Sequence, residues 1–96
     1  MLISKGATVG EIVTLKLSTG EELVGRLSEE ADTYYMIDHP LTLVAGPKGL
    51  GLQPWLFTVE PSKTYKIYKD KVMTMQATMK EMSDSYLQGT TGIALA

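Results

Sequence analysis

Cysteine is absent, which excludes disulfides, thiolate nucleophiles, zinc ribbons and iron–sulfur ligation together. Histidine is nearly absent: His39 stands alone, so no site can rest on two imidazoles. Long apolar runs are lacking too, and no stretch approaches the ~20 residues of a membrane helix. Glycines at 6 and 10 interrupt the apolar residues of Met1–Gly10, leaving it too short and broken for a signal-peptide core. A cytoplasmic protein without membrane contact is the expectation. An excess of positive charge is missing as well. The net charge is -2, so attraction to nucleic acid has to be local. What remains is ordinary for a folded protein. A composition 44% hydrophobic and 21% charged rules out disorder, and 96 residues allow one domain.

From residue 12 onward the hydrophobic period is two. Val13, Leu15 and Leu17 alternate with polar residues, Ser18–Glu21 makes a turn, and Leu23, Gly25 and Leu27 return, which predicts a hairpin. Gly25, inside a regular strand, marks a bend or a close backbone approach. Thr33–Asp38 predicts a third strand that His39-Pro40 interrupts, with Leu41–Val44 its continuation beyond the break. Gly46–Pro54 reads as an elaborated loop or a long hairpin tip. Trp55, Phe57 and Val59 predict a fourth strand, Lys63–Lys69 a fifth, and Val72–Ala77, after a tight Asp70-Lys71 turn, another. The period then changes. Thr78 and Glu81 form a capping-box pattern, Met79, Met82 and Tyr86 make a helical stripe, and Gly89 is a terminator. One domain over 1–96 results: an extension at 1–11, a barrel at 12–77, a helix within 78–89 and an apolar tail at 90–96.

Several patterns that suggest chemistry have plainer readings. Gly46–Gly51 lacks the Gly-Lys-Ser/Thr ending of a phosphate loop and leads to a strand pattern. Asp38-His39 has no second ligand or base nearby in sequence and reads as a turn. The methionines at 73, 75, 79 and 82 read as core packing. No nucleophile elbow or isolated carboxylate pair is present. The expectation is a protein without catalysis, metal, cofactor or small-molecule substrate.

Charge is distributed unevenly. Glu21, Glu22, Glu29, Glu30, Asp32 and Asp38 face only Arg26 between residues 20 and 38, whereas Lys63, Lys66, Lys69, Lys71 and Lys80 face only Asp70 between 62 and 80. The basic run is interleaved with Tyr65 and Tyr68. Cations beside aromatic rings suit single-stranded nucleic acid, and lysines equally protect an edge strand from unwanted pairing.

Leu17-x-x-Gly20-x-x-Leu23-x-Gly25-x-Leu27, followed by Asp32, resembles the first signature of the Sm and Sm-like proteins. Ile67-Tyr68-Lys69-Asp70-Lys71-Val72-Met73-Thr74 is similar to the second signature in its bacterial Hfq form. The size and long middle loop resemble the Sm-like proteins of marine phage. Departures are visible. Thr33, Tyr34 and Tyr35 stand where the family places an aromatic or histidine, methionine and asparagine, Asp70 replaces a histidine, and no Arg-Gly pair exists.

The resemblance implies a mainly β fold: a small open barrel of five strongly bent antiparallel strands with a C-terminal helix over its open end. It implies a homo-oligomeric ring of about five to seven subunits, closed by pairing the fourth strand of one subunit with the fifth of the next. It also implies binding of single-stranded RNA, a short U- or A-rich segment, as in RNA chaperones or processing accessories. Thr33, Tyr34, Tyr35, Tyr68 and Lys69 then form the RNA site, with the tyrosines stacking and Lys69 on phosphate. The competing implication is a structural or assembly ring, phage-encoded, that binds protein alone.

Overall fold

The computed structural model describes residues 8–90, which form six strands and one helix. Strands β1 (Ile12–Leu17) and β2 (Glu22–Glu30) make the expected hairpin, in register from Ile12↔Arg26 to Lys16↔Glu22. Gly20 takes φ +107° in its turn, a conformation glycine adopts without steric cost. Alternation sends Val13, Leu15, Leu17, Leu23 and Leu27 to one face, where they join Ile37 and Ile67 in the main core. The opposite face buries Ile12 and Val24 in a second cluster with Leu41 and Tyr86. The hairpin is therefore covered on both sides.

Strand β3 (Tyr34–Gly46) runs unbroken through the predicted interruption at His39-Pro40. The register jumps there: Val24 faces Leu41 and Arg26 faces Asp38, so Gly25 lies opposite the extra residues of a bulge. His39 adopts φ +49° and Pro40, which has no N–H to offer a ladder, is fully buried at the kink. The strand bends and continues. Its outer edge is divided between two partners: Tyr34–Asp38 pair with β5 (Thr64–Tyr68), and Leu41–Gly46 pair with β4 (Gly49–Pro54).

The fourth strand is thus Gly49–Pro54 and not the Trp55–Val59 stretch that alternation suggested. Segment 46–54 is the far end of a hairpin, with Gly49 at φ +116° in its turn. Both halves of β3's edge are already paired, which leaves residues 55–59 without a strand to join. Trp55 packs against the main core, while Phe57 stands 83% exposed.

A short 3-10 turn at Lys69–Lys71 leads from β5 into β6 (Val72–Ala77), which pairs with β1. The sheet order is β4-β3-β2-β1-β6, with β5 beside the first half of β3. β5 and β6 do not pair with each other, so the antiparallel sheet stays unclosed.

The helix α1 (Lys80–Thr90) begins one residue later than the stripe suggested and passes through Gly89. Thr78 spends its hydroxyl on Thr14 Oγ1 at 2.8 Å, and its amide donates to the Ile12 carbonyl. Met75 and Met82 pack as expected, but Met73 and Met79 are about two-thirds or more exposed, at 70% and 68%. Core packing accounts for two of these four methionines. The tail beyond residue 90 and the extension before residue 8 lie outside the described residues. Among those described, no helix is long and apolar enough to cross a membrane.

Tyr86 fastens α1 to the kink. Its hydroxyl donates to the carbonyls of Asp38 and His39, both at 2.9 Å, and its ring meets His39 edge-on. The left-handed residue at 39 is where two successive carbonyls come within reach of one hydroxyl. Burial pushes the Tyr86 phenol up to about 12. Its unfolded value is about 10, so this stabilisation is present below pH ~10 and is lost as pH rises through the folded value. Tyr86→Phe is expected to cost about 1–3 kcal/mol near neutrality, because two carbonyls lose their donor. Chemical denaturation followed across pH should show a larger alkaline loss in the parent than in the variant, which keeps only the part due to other groups such as Lys69.

Candidate nucleic-acid interface

Register decides which of the candidate side chains meet. Tyr34 lies opposite Tyr68, Tyr35 opposite Ile67 and Met36 opposite Lys66. Since side chains alternate faces, Tyr34, Lys66 and Tyr68 share one face, and Tyr35 shares the other with buried Ile67. On the first face the Tyr34 and Tyr68 rings stand edge to face, with centroids 6.4 Å apart. The Lys66 ammonium sits 4.6 Å from the centre of the Tyr34 ring, and Tyr68 is 52% exposed. This is a solvent-facing aromatic platform with a cation on it.

On the other face Tyr35 packs against the main core, and Lys69 Nζ lies 5.1 Å from its ring. Lys69 is not a free cation. It forms an ion pair with Glu30 at 2.8 Å, and that carboxylate holds its ammonium above the usual lysine range. Thr33 contributes backbone: its carbonyl accepts the Lys69 amide at 2.8 Å, which ties the β2–β3 turn to the 3-10 turn. Between these turns lies a cleft of about 270 Å³ lined by Asp32, Thr33, Tyr68, Lys69 and Asp70.

All five residues singled out from sequence are therefore neighbours, but they divide between two faces. The two acids beside Lys69 oppose a phosphate in the cleft, whereas the platform carries Lys66 with no ion pair among the described residues. Lys66 stood in the basic run but outside the five site residues, and Glu30 is the participant that sequence reading missed. The spacing of Lys66 and Tyr68, two apart in a strand, already placed them on one face. Glu30 carried no such signal, because its partner is reached only through the β2–β3 and β3–β5 pairings.

Asp38 and His39 have structural duties. Thr64 Oγ1 donates to Asp38 Oδ1 at 2.6 Å, both backbone carbonyls hold Tyr86, and burial lowers the His39 imidazole below its ordinary range. Among the described residues no group of three or more acidic or histidine side chains is placed to hold a metal ion.

No family model matches the chain, and no curated protein matches it in sequence.

Proposed function

We propose that this protein binds single-stranded RNA as an Sm-like homo-oligomeric ring, without catalysis. The carrying observation is the Tyr34–Tyr68 platform with Lys66 over it, an arrangement that offers stacking faces and a cation to unstacked bases and their phosphates. The strand order supports the Sm-like part of the reading. If β4 is taken as an outgrowth of the β3–β5 connection, the path β6-β1-β2-β3-β5 is a five-stranded bent sheet ending on two unpaired edges. On this reading β5 and β6 correspond to the fourth and fifth strands that such rings pair between subunits. Covering them also removes an aggregation liability.

A filter-binding titration on short homopolymers, repeated across salt, tests the function. Saturable binding with a negative salt slope is expected, because each phosphate neutralised releases counterions. Absence of binding at low salt rejects RNA as the ligand and favours a ring that binds protein alone. The acids around Lys69 are the observation on that side. Sedimentation equilibrium tests assembly: a monomer at micromolar concentration rejects the ring.

The Glu30–Lys69 pair makes a separate prediction. Glu30→Gln is expected to release the lysine to phosphate, tighten RNA binding several-fold and steepen the log–log salt slope by about one. Unchanged affinity and slope in the same titration would place Lys69 outside the RNA path.

A further inference from the structure

The sheet is open between β5 and β6, and a slit lies between the end of β1 and β5, with Trp55 in its lining. The slit measures about 250 Å³ and is bordered by Leu17 and Ser18 at the end of β1, by Ile67 and Tyr68 of β5, and by Lys71. Its apolar base is the edge of the main core, since Leu17 and Ile67 are 6% and 4% exposed. The walls are tied in place. Ser18 donates its amide to the Lys71 carbonyl at 2.8 Å, joining the first hairpin turn to the 3-10 turn. Trp55 Nε1 donates to Glu21 Oε2 at 3.5 Å, and Thr19 bonds the other oxygen of the same carboxylate. Glu21 is consequently held below the usual carboxylate range, first by Thr19 and then by Trp55, and stays an acceptor. The Tyr65 ring, 6.0 Å away edge-on, completes the support of the indole.

We propose that this slit receives one nucleotide of a bound single strand, its base against the Trp55 indole and its phosphate on Lys71. The inference rests on the RNA reading above and goes beyond it in naming a site off the Tyr34–Tyr68 platform. Charge complementarity selects the occupant. Lys71 is exposed at the rim and has no ion pair among the described residues, and Lys66 borders the same slit. Against these two cations the lining holds one carboxylate, Glu21, whose oxygens are engaged by Trp55 and Thr19, so an apolar base with a net positive edge matches a planar aromatic ring that carries an anionic tail. Tyr68 and Lys66 belong to the platform and also border this slit, so the two sites are contiguous. Glu21 acts as a positioning residue that orients the indole.

Trp55 is the only tryptophan of the chain, so its fluorescence reports on the slit alone. The experiment titrates oligo(A) and oligo(U), each carrying a trace of fluorescently end-labelled strand, into the 96-residue protein held at fixed concentration. Anisotropy of the label and acrylamide quenching of Trp55 are read on the same samples. The expected result is RNA-dependent shielding of Trp55 that saturates together with the anisotropy. Lys71→Ala should weaken both several-fold and reduce the log–log salt slope by about one. Trp55→Phe, which keeps an aromatic ring in the core contact, should weaken binding less than Trp55→Leu at equal thermal stability. If anisotropy saturates while Trp55 remains as accessible as in the free protein, the slit is empty: this inference fails and the RNA reading stands. If no anisotropy develops at low salt, both fall together.

Discussion

Gly25→Ala is expected to destabilise the protein by about 1–3 kcal/mol, the range for forcing extra atoms into a packed core. For a domain of this size that lowers the melting temperature by roughly 4–24 °C. A Cβ at this position would lie 2.4 Å from Ile37 Cγ2, 2.9 Å from the Asp38 carbonyl oxygen and 3.3 Å from Pro40 Cα. The first contact is a side chain and can be relieved; the other two are backbone. They belong to the β3 bulge, whose position is held by Tyr86 through the Asp38 and His39 carbonyls. Ile37→Ala should therefore fail to rescue Gly25→Ala, and the double variant should be less stable than either single one. Thermal denaturation by circular dichroism reads all three. A Gly25→Ala protein that melts with the parent would mean that β2 and β3 do not approach at the bulge as described.

That close approach was legible in the sequence because a glycine weakens an alternating strand unless the backbone must bend or be approached there. The first hairpin, β6 and the existence of α1 were legible too, each carried by a local period. The errors arose where a local pattern depended on a distant partner. Trp55, Phe57 and Val59 alternate as a strand does, yet a strand needs an edge to pair with, and β4 and β5 occupy the whole outer edge of β3. His39-Pro40 suggested an end because proline cannot join a ladder. The bulge opposite Gly25 removes the need for its missing N–H, and the strand continues. The candidate site shows the same division. That residues 33–35 and 68–69 meet follows from two turns of one fold. That Tyr35 turns inward while Tyr34 turns outward follows from the β3–β5 register, and that Lys69 is claimed by Glu30 follows from side-chain geometry that no spacing rule contains.

This division reassigns the substitutions expected to matter for binding. Tyr35→Ala removes a ring packed on the main core, so its first effect is on stability, and any change in RNA preference must be measured against that loss. Lys69→Ala removes a cation already neutralised by Glu30, and a small effect is expected. Tyr68→Ala is the decisive change. Its ring is half exposed and its contact with Tyr34 is a single edge-to-face pair, worth about 0.5–1.5 kcal/mol to the fold. Loss of a stacked base costs roughly 1–3 kcal/mol, which is about 5- to 150-fold in affinity at each site. Tyr68→Phe keeps the stacking face and should retain most of the binding, which separates stacking from any role of the hydroxyl. Lys66→Ala should weaken every homopolymer alike and flatten the salt dependence, since a phosphate contact carries no base information. Filter binding with the five variants, on samples of matched melting temperature and sedimentation behaviour, decides the matter. If Tyr68→Ala binds RNA as the parent does, bases do not stack on this face of the sheet, and the platform is a surface for something other than a single strand.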